Sequence, residues 1–274
     1  MPELPEVEFA ARALGRWLEG RTIERASAPE SRIVRGADRR AFERDLQGRT
    51  LRRIDRRGKI LLLAFDGDVG LVSHLGMTGK WVRRGPDDPR PRHARARLAL
   101  RGDGIVYYDD QRLFGRLAVH PAHSLLELPE VRALGPDPLV DGVDPERLLE
   151  RLRRTSRSVK VAIMDQSVLA GLGNIQATEA LFRAGIHPAR VASTLDLDEV
   201  RALAAGIEDS IAHTLGDAGD GDEIAYVEEP GAANPFLVYG RKGEPCPRCG
   251  TPIEAIVLGG RTSAFCPRCQ KRSG

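Results

Sequence analysis

The 274-residue chain carries 42 basic and 39 acidic side chains, a net charge of +3, with 41% hydrophobic and 30% charged residues. These are the proportions of a soluble globular protein with room for two modest domains and a small appendage. No apolar run approaches the roughly 20 residues of a bilayer span, and Glu3, Glu6 and Glu8 stand where a signal peptide would carry its basic region.

A cytoplasmic, reducing setting is therefore expected, in which the four cysteines point to metal or catalysis and not to disulfides. Lysine occurs at only five positions, so the basic side chains are overwhelmingly arginine. The arginine fork suits phosphate, which makes nucleic acid a candidate partner.

In chain order, an opening helix is expected behind Pro5. Short β-prone runs follow: "RTIERASA", "LRRIDRRGKILLLAF", "VGLVSHLGMTGKWVRR", "ARARLALRG" and "GIVYYDD". "RRGPDDPRPRH" reads as a loop, and "LGPDPLVDGVDPER" as a hinge. From Asp144 the pattern turns helical. "DPERLLERLRRT" offers Asp144 as N-cap and Pro145 at the first helical position. "GLGN" ends one apolar helix and starts another, and "LDLDEVRALAAGIEDSIAHTL" has helical spacing. The acidic, Gly-rich stretch 216–235 reads as a long loop.

"CPRC" occurs at 246–249 and again at 266–269. Two such knuckles, Cys246/Cys249 and Cys266/Cys269, predict one structural zinc ion in a closed four-thiolate shell, clipping a hairpin around "GGR" with Arg261 at its tip. A hairpin of this size needs the metal in order to fold.

The amino terminus carries a second signal. Removal of Met1 would leave Pro2 with a secondary α-amine, whose pKa near 8 makes it substantially unprotonated at neutral pH. Attack by such an amine on an aldehyde carbon gives an iminium, an electron sink. Glu3 and Glu6 stand close enough in sequence to move protons. Taken alone, these residues also suit a helix start, with Pro5 in the first turn and acids against the dipole.

"MPELPEVE", "RRGK", "SHLGMTG", "DDQRLFG", "GLGNIQATEALFRAGIHP", "VYGRKGEPCPRCG" and "GGRTSAFCPRC" follow one another along the chain. In this set the sequence resembles the bacterial formamidopyrimidine-DNA glycosylase family, from residue 1 to about residue 270. The resemblance implies an α+β multidomain fold: a catalytic β-sandwich with its N-terminal helix (1–135), a helix–two-turn–helix DNA-binding domain (136–236) and a zinc-clipped β-hairpin (237–274). It implies a monomer associated with the bacterial nucleoid, binding damaged double-stranded DNA in the cleft between the domains.

The resemblance also implies roles. Pro2 is the nucleophile at C1′ and Glu3 the general acid/base, with Glu6 as a supporting carboxylate. Lys59 contacts phosphate and assists β-elimination, and Arg261 assists δ-elimination. His74 and Asn174 contact phosphate, with His93, Arg154 and Lys160 as further backbone contacts. Met77, Arg112 and Phe114 fill the hole left by the extruded base. Glu179 is a structural or relay acid near the amino-terminal helix.

The implied activity is bifunctional: excision of 8-oxoguanine and formamidopyrimidines, then β,δ-elimination at the abasic site. Two departures stand out. Gln176 occupies a position where Tyr is common, and 216–235 lacks the usual Gly-Thr/Ser run of the loop that closes over the base. An endonuclease VIII-like enzyme for oxidised pyrimidines therefore stays open, as does a non-catalytic zinc-containing damaged-DNA-binding protein.

Overall fold

A computed structural model describes residues 2–29, 32–35, 39–102, 104–218, 223–224, 226–227, 229 and 231–272. The chain divides into two compact units, Met1–Arg132 with Ala218–Pro230, and Ala133–Asp217 with Gly231–Gly274. The helical and zinc-binding segments thus share the second unit, and part of the 216–235 stretch returns to the first.

The first unit opens with α1 (Leu4–Leu18). Pro5 lies in its first turn, and Glu3 and Glu6 cap each other reciprocally, the Glu3 amide donating to Glu6 Oε2 at 2.8 Å. A capping box of this kind fixes the first turn of a helix and keeps it from fraying. The apolar stripe Val7, Ala10, Leu14 and Trp17 is buried at helical spacing.

Among the described residues eight strands follow, with one short helix, α2 (Arg39–Leu46), between the first two. They are β1 (Ile23–Ser27), β2 (Leu51–Arg57), β3 (Ile60–Phe65), β4 (Val69–His74), β5 (Lys80–Arg84), β6 (Ala94–Leu100), β7 (Ile105–Asp109) and β8 (Arg116–Pro121). Two four-stranded sheets result, ordered β1-β6-β7-β5 and β2-β3-β4-β8, every pair antiparallel. β6 shows why they form a sandwich. Ala94, Ala96, Leu98 and Leu100 are buried, whereas Arg95, Ala99 and Arg97 between them are not fully covered. That is the alternation of a strand with one face in the core. Leu61, Leu63, Leu98 and Tyr108 share this core with the α1 stripe. β3 is buried almost throughout, because the turn at Ala122–Glu127 lays Leu125 over its sheet.

The short α3 (Pro129–Arg132) closes this part of the chain. The second unit then builds α4 (Pro145–Arg153), α5 (Val159–Ile163), α6 (Asn174–Ala184), α7 (Leu197–Ala218) and the hairpin β9 (Glu254–Leu258) with β10 (Arg261–Phe265). Asp144 caps α4 as expected, accepting from the Arg147 amide at 3.0 Å, with Pro145 in the first turn. α6 and α7 approach closely at Gly206, where a Cβ would come within 2.7 Å of the Ala180 carbonyl. Gln176 makes a polar bridge: its amide donates to Thr214 Oγ1 at 2.8 Å and accepts from Ser210 Oγ at 2.7 Å, both on α7.

Candidate functional site

In the first unit, Pro2 and Glu3 are buried beside the start of α1. Glu6 is pushed up to about 7, first by burial and second by the neighbouring Glu3 charge. Its protonated form is thus favoured well beyond the ordinary carboxylate range. Met1, whose removal the sequence reading needs, lies outside the described residues.

Lys59 sits in the tight turn between β2 and β3. Strand register places His74 opposite Ile60 on one side and Arg116 on the other. Burial, followed by the charges of Lys59 and Arg116, holds the His74 imidazole down at about 4. The imidazole thus sits neutral beside the Lys59 ammonium and the Arg116 guanidinium, the latter itself paired with Glu130 at 2.8 Å. Arg116 had no motif to announce it. Its signal was only its place two residues after Phe114, in the strand beside "SHLGMTG".

Met77 is half-buried in the turn after β4, whereas Arg112 and Phe114 are exposed on the turn after β7. The Arg112 guanidinium lies 4.9 Å above the Phe114 ring. His93 enters through its backbone: its amide donates to Asp109 Oδ1 at 2.8 Å and its carbonyl accepts from the Asp110 amide at 3.1 Å.

Three described residues of the 216–235 segment make contacts in this unit too. Tyr226 is buried, donating its hydroxyl to the Gly79 carbonyl at 2.7 Å, and Glu229 pairs with Lys80 at 3.3 Å. Glu223 pairs with Arg84. Residues 219–222, 225, 228 and 230 of the expected closing loop lie outside the described residues.

In the second unit, Gly173 in extended backbone precedes Asn174, the first residue of α6, as "GLGN" predicts. Lys160, expected as a DNA-backbone contact, makes its polar contacts inside the second unit. Its side chain is fully buried. Its ammonium donates to Asn174 Oδ1 at 2.6 Å, Ser263 Oγ at 2.6 Å and the Thr262 carbonyl at 3.1 Å. It thereby ties the start of α6 to β10 and fixes which end of the Asn174 amide is left as donor. Arg261 opens β10, exposed, behind the two-glycine turn Gly259–Gly260, both at positive φ. Arg154 is exposed at the end of α4 and pairs with Glu150.

Glu179 is a structural acid. Its buried carboxylate accepts from the amides of Leu237, Val238 and Tyr239 at 2.9–3.0 Å and from Arg183 at 2.8 Å. It braces the segment leading to the cysteines and makes these contacts within the second unit.

The four cysteine sulfurs lie within 4.8 Å of one another. Cys246–Cys269 and Cys249–Cys266 are 3.9 and 3.5 Å apart. A tetrahedral Zn–S shell of about 2.3 Å has edges of about 3.8 Å, so the cage fits one zinc ion with no open position. Phe182, Val238 and Ile253 pack around it, and Gln270 links the Cys266 amide (2.9 Å) to the Ile186 carbonyl (2.8 Å).

Residues 1–117 match the formamidopyrimidine-DNA glycosylase N-terminal domain, residues 134–223 the formamidopyrimidine-DNA glycosylase H2TH domain, and residues 243–272 the zinc finger found in FPG and IleRS. The chain belongs to the formamidopyrimidine-DNA glycosylase family. Formamidopyrimidine-DNA glycosylases from Bacillus licheniformis and Geobacillus kaustophilus are each 40% identical to it, over 99% of this chain and 100% of theirs. The family comprises DNA glycosylases of base-excision repair with abasic-site lyase activity. Among solved structures, the Lactococcus lactis enzyme with Fapy-dG-containing DNA matches with a TM-score of 0.88 and 32% identity, over 98% of this chain and 100% of that one. The same enzyme with oxidised-pyrimidine-containing DNA matches with a TM-score of 0.89 and 32% identity, over 99% and 100%.

Proposed function

We propose that this member of the family excises oxidised purines from duplex DNA and cleaves the resulting abasic site through a Schiff base on Pro2. Once Met1 is removed, the Pro2 amine attacks C1′ and the base departs with a proton supplied by Glu3 or Glu6. The sugar ring opens to an iminium, which acidifies the C2′ proton. Loss of that proton expels the 3′ phosphate, and a second elimination expels the 5′ phosphate. Lys59 and His74 hold phosphate in the first unit; Asn174 and Arg261 do so in the second. Zinc does no chemistry here and holds the hairpin that presents Arg261.

The observation that carries this reading is the capping box. It anchors the first turn next to Pro2, which supports a role for Glu3 and Glu6 beside that amine, with the Glu6 pKa raised to about 7 by burial. The monomeric state is proposed with it.

Borohydride trapping on a duplex with 8-oxoguanine opposite cytosine tests the reading, the cross-linked peptide being identified by mass. An adduct on Pro2 is expected, on a chain whose intact mass lacks Met1. No adduct with this duplex or with a preformed abasic site would favour the non-catalytic DNA-binding protein. The departing 216–235 segment and the relative solved with oxidised-pyrimidine DNA favour a second substrate class. A parallel duplex with an oxidised pyrimidine separates the two.

A further inference from the structure

The two turns that present Met77, Arg112 and Phe114 meet at one buried carboxylate. Asp110 has no solvent exposure. Its Oδ1 accepts from Thr78 Oγ1 at 2.7 Å and the Arg112 amide at 3.2 Å, and its Oδ2 accepts from the Gly115 amide at 2.8 Å. The Arg112 amide also reaches Thr78 Oγ1 at 3.2 Å. One side chain therefore ties the residue after Met77 to both flanks of the Arg112–Phe114 tip. Hydrogen bonds to an ionised acceptor are roughly twice as strong as neutral ones.

The backbones are close-packed as well. A Cβ on Gly76 would come within 2.5 Å of the Phe114 carbonyl carbon. A Cβ on Gly79 or Gly115 would collide with the Tyr108 hydroxyl, which itself donates to the His74 carbonyl at 2.9 Å. Between Arg112 and Phe114, Leu113 is held at φ +57, a conformation a leucine adopts only when its surroundings impose it. The result is an exposed Phe114 and Arg112 on a strained turn that cannot relax independently of the Met77 turn.

We propose that Asp110 is a positioning residue for base extrusion: it locks the two turns into one wedge, so that Met77, Arg112 and Phe114 enter the duplex as a unit. This rests on the glycosylase reading above. A wedge matters when a paired, stacked base must leave the helix, which costs a few kcal/mol. It matters far less on a preformed abasic site, where no base is to be removed. Asp110 touches no reacting atom, so the chemistry on Pro2 should outlast its loss.

The test compares the wild-type chain with Asp110→Asn and Thr78→Val. Asn keeps the shape of Asp but turns an NH2 group towards donor amides. Thr78→Val removes a single bond and guards against misfolding of the first variant. Single-turnover excision of 8-oxoguanine from a paired duplex is measured beside cleavage of a preformed abasic site. 2-Aminopurine next to the lesion reports unstacking. Expected for Asp110→Asn is a fall in excision and in the unstacking rate of roughly ten- to a hundredfold, with abasic cleavage within about threefold of wild type. Thr78→Val should show the same split, smaller. Equal loss of both activities would make Asp110 a general structural residue and overturn the proposal, as would unchanged excision. Wild-type chain that neither excises nor traps would instead remove the reading on which it rests.

Discussion

Glu6 and His74 are both driven towards their neutral forms, one by burial against a like charge, the other by burial among cations. Their effects on stability have opposite signs. Glu6 has a raised folded pKa, so its contribution is full below 4.5 and is lost as pH rises through about 7. Against Glu6→Gln, which stays neutral, the wild type should lose roughly 3 kcal/mol between pH 4.5 and 8. Urea unfolding at three pH values measures this, and a flat difference would show that folding leaves the Glu6 pKa unshifted. His74 has a depressed folded pKa, so its contribution is present above 6.5 and is lost as pH falls through about 4. Its ring resonances should show a neutral imidazole down to about pH 5 in the free protein. A short single-stranded oligonucleotide should raise that midpoint, because a phosphate offsets the Lys59 and Arg116 charges. An unmoved midpoint would remove His74 from the phosphate site.

At the scale of elements, the zinc hairpin is the clearest case of a structure that depends on an ion. Stripping zinc with a thiol-modifying reagent and chelator should release one ion per chain and lower duplex affinity by about tenfold or more, since Arg261 loses its support. The helical signal should persist, because α4 and α7 bury Leu148, Leu152, Leu203 and Ile207 outside the cysteine cluster. Collapse of the helical signal would show that α6, through Phe182, needs the metal as well. These elements were legible in the sequence because their cues are local: Asp144-Pro145 before an apolar stripe, "GLG" before Asn174, paired "CPRC" knuckles. Lys160 was not. Its partners Thr262 and Ser263 lie about a hundred residues downstream, and nothing in "SVKVAIM" distinguishes a buried ammonium from a surface one. Asp110 was hidden for the opposite reason: it stood inside a motif read for Arg112 and Phe114.

For the whole molecule, the informative feature is the return of Ala218–Pro230 to the first unit. Composition marked this stretch as a long acidic loop, and its acids do pair with Lys80 and Arg84. That Tyr226 would be buried against the Gly79 carbonyl had no signal, because a lone tyrosine among glycines and acids has no period to read. Tyr226→Phe should cost the first unit about 1 kcal/mol by leaving that carbonyl without its donor. The loss should appear as faster amide exchange in β5 and β7, with α6 and α7 unchanged. Equal exchange in both units would show that the contact does not stabilise the first unit locally.

The same return has a consequence for how the chain is made. Domains generally fold as they leave the ribosome, the amino-terminal one first. Here the sandwich is synthesised first but cannot be completed, because the tyrosine that caps Gly79 emerges only after α4 to α7 have been translated. A nascent chain halted at residue 217 would hold both sheets and Pro2, yet lack that hydrogen bond. The contacts that Tyr226 and Glu229 make with Gly79 and Lys80 are therefore late events in the sandwich's biosynthesis.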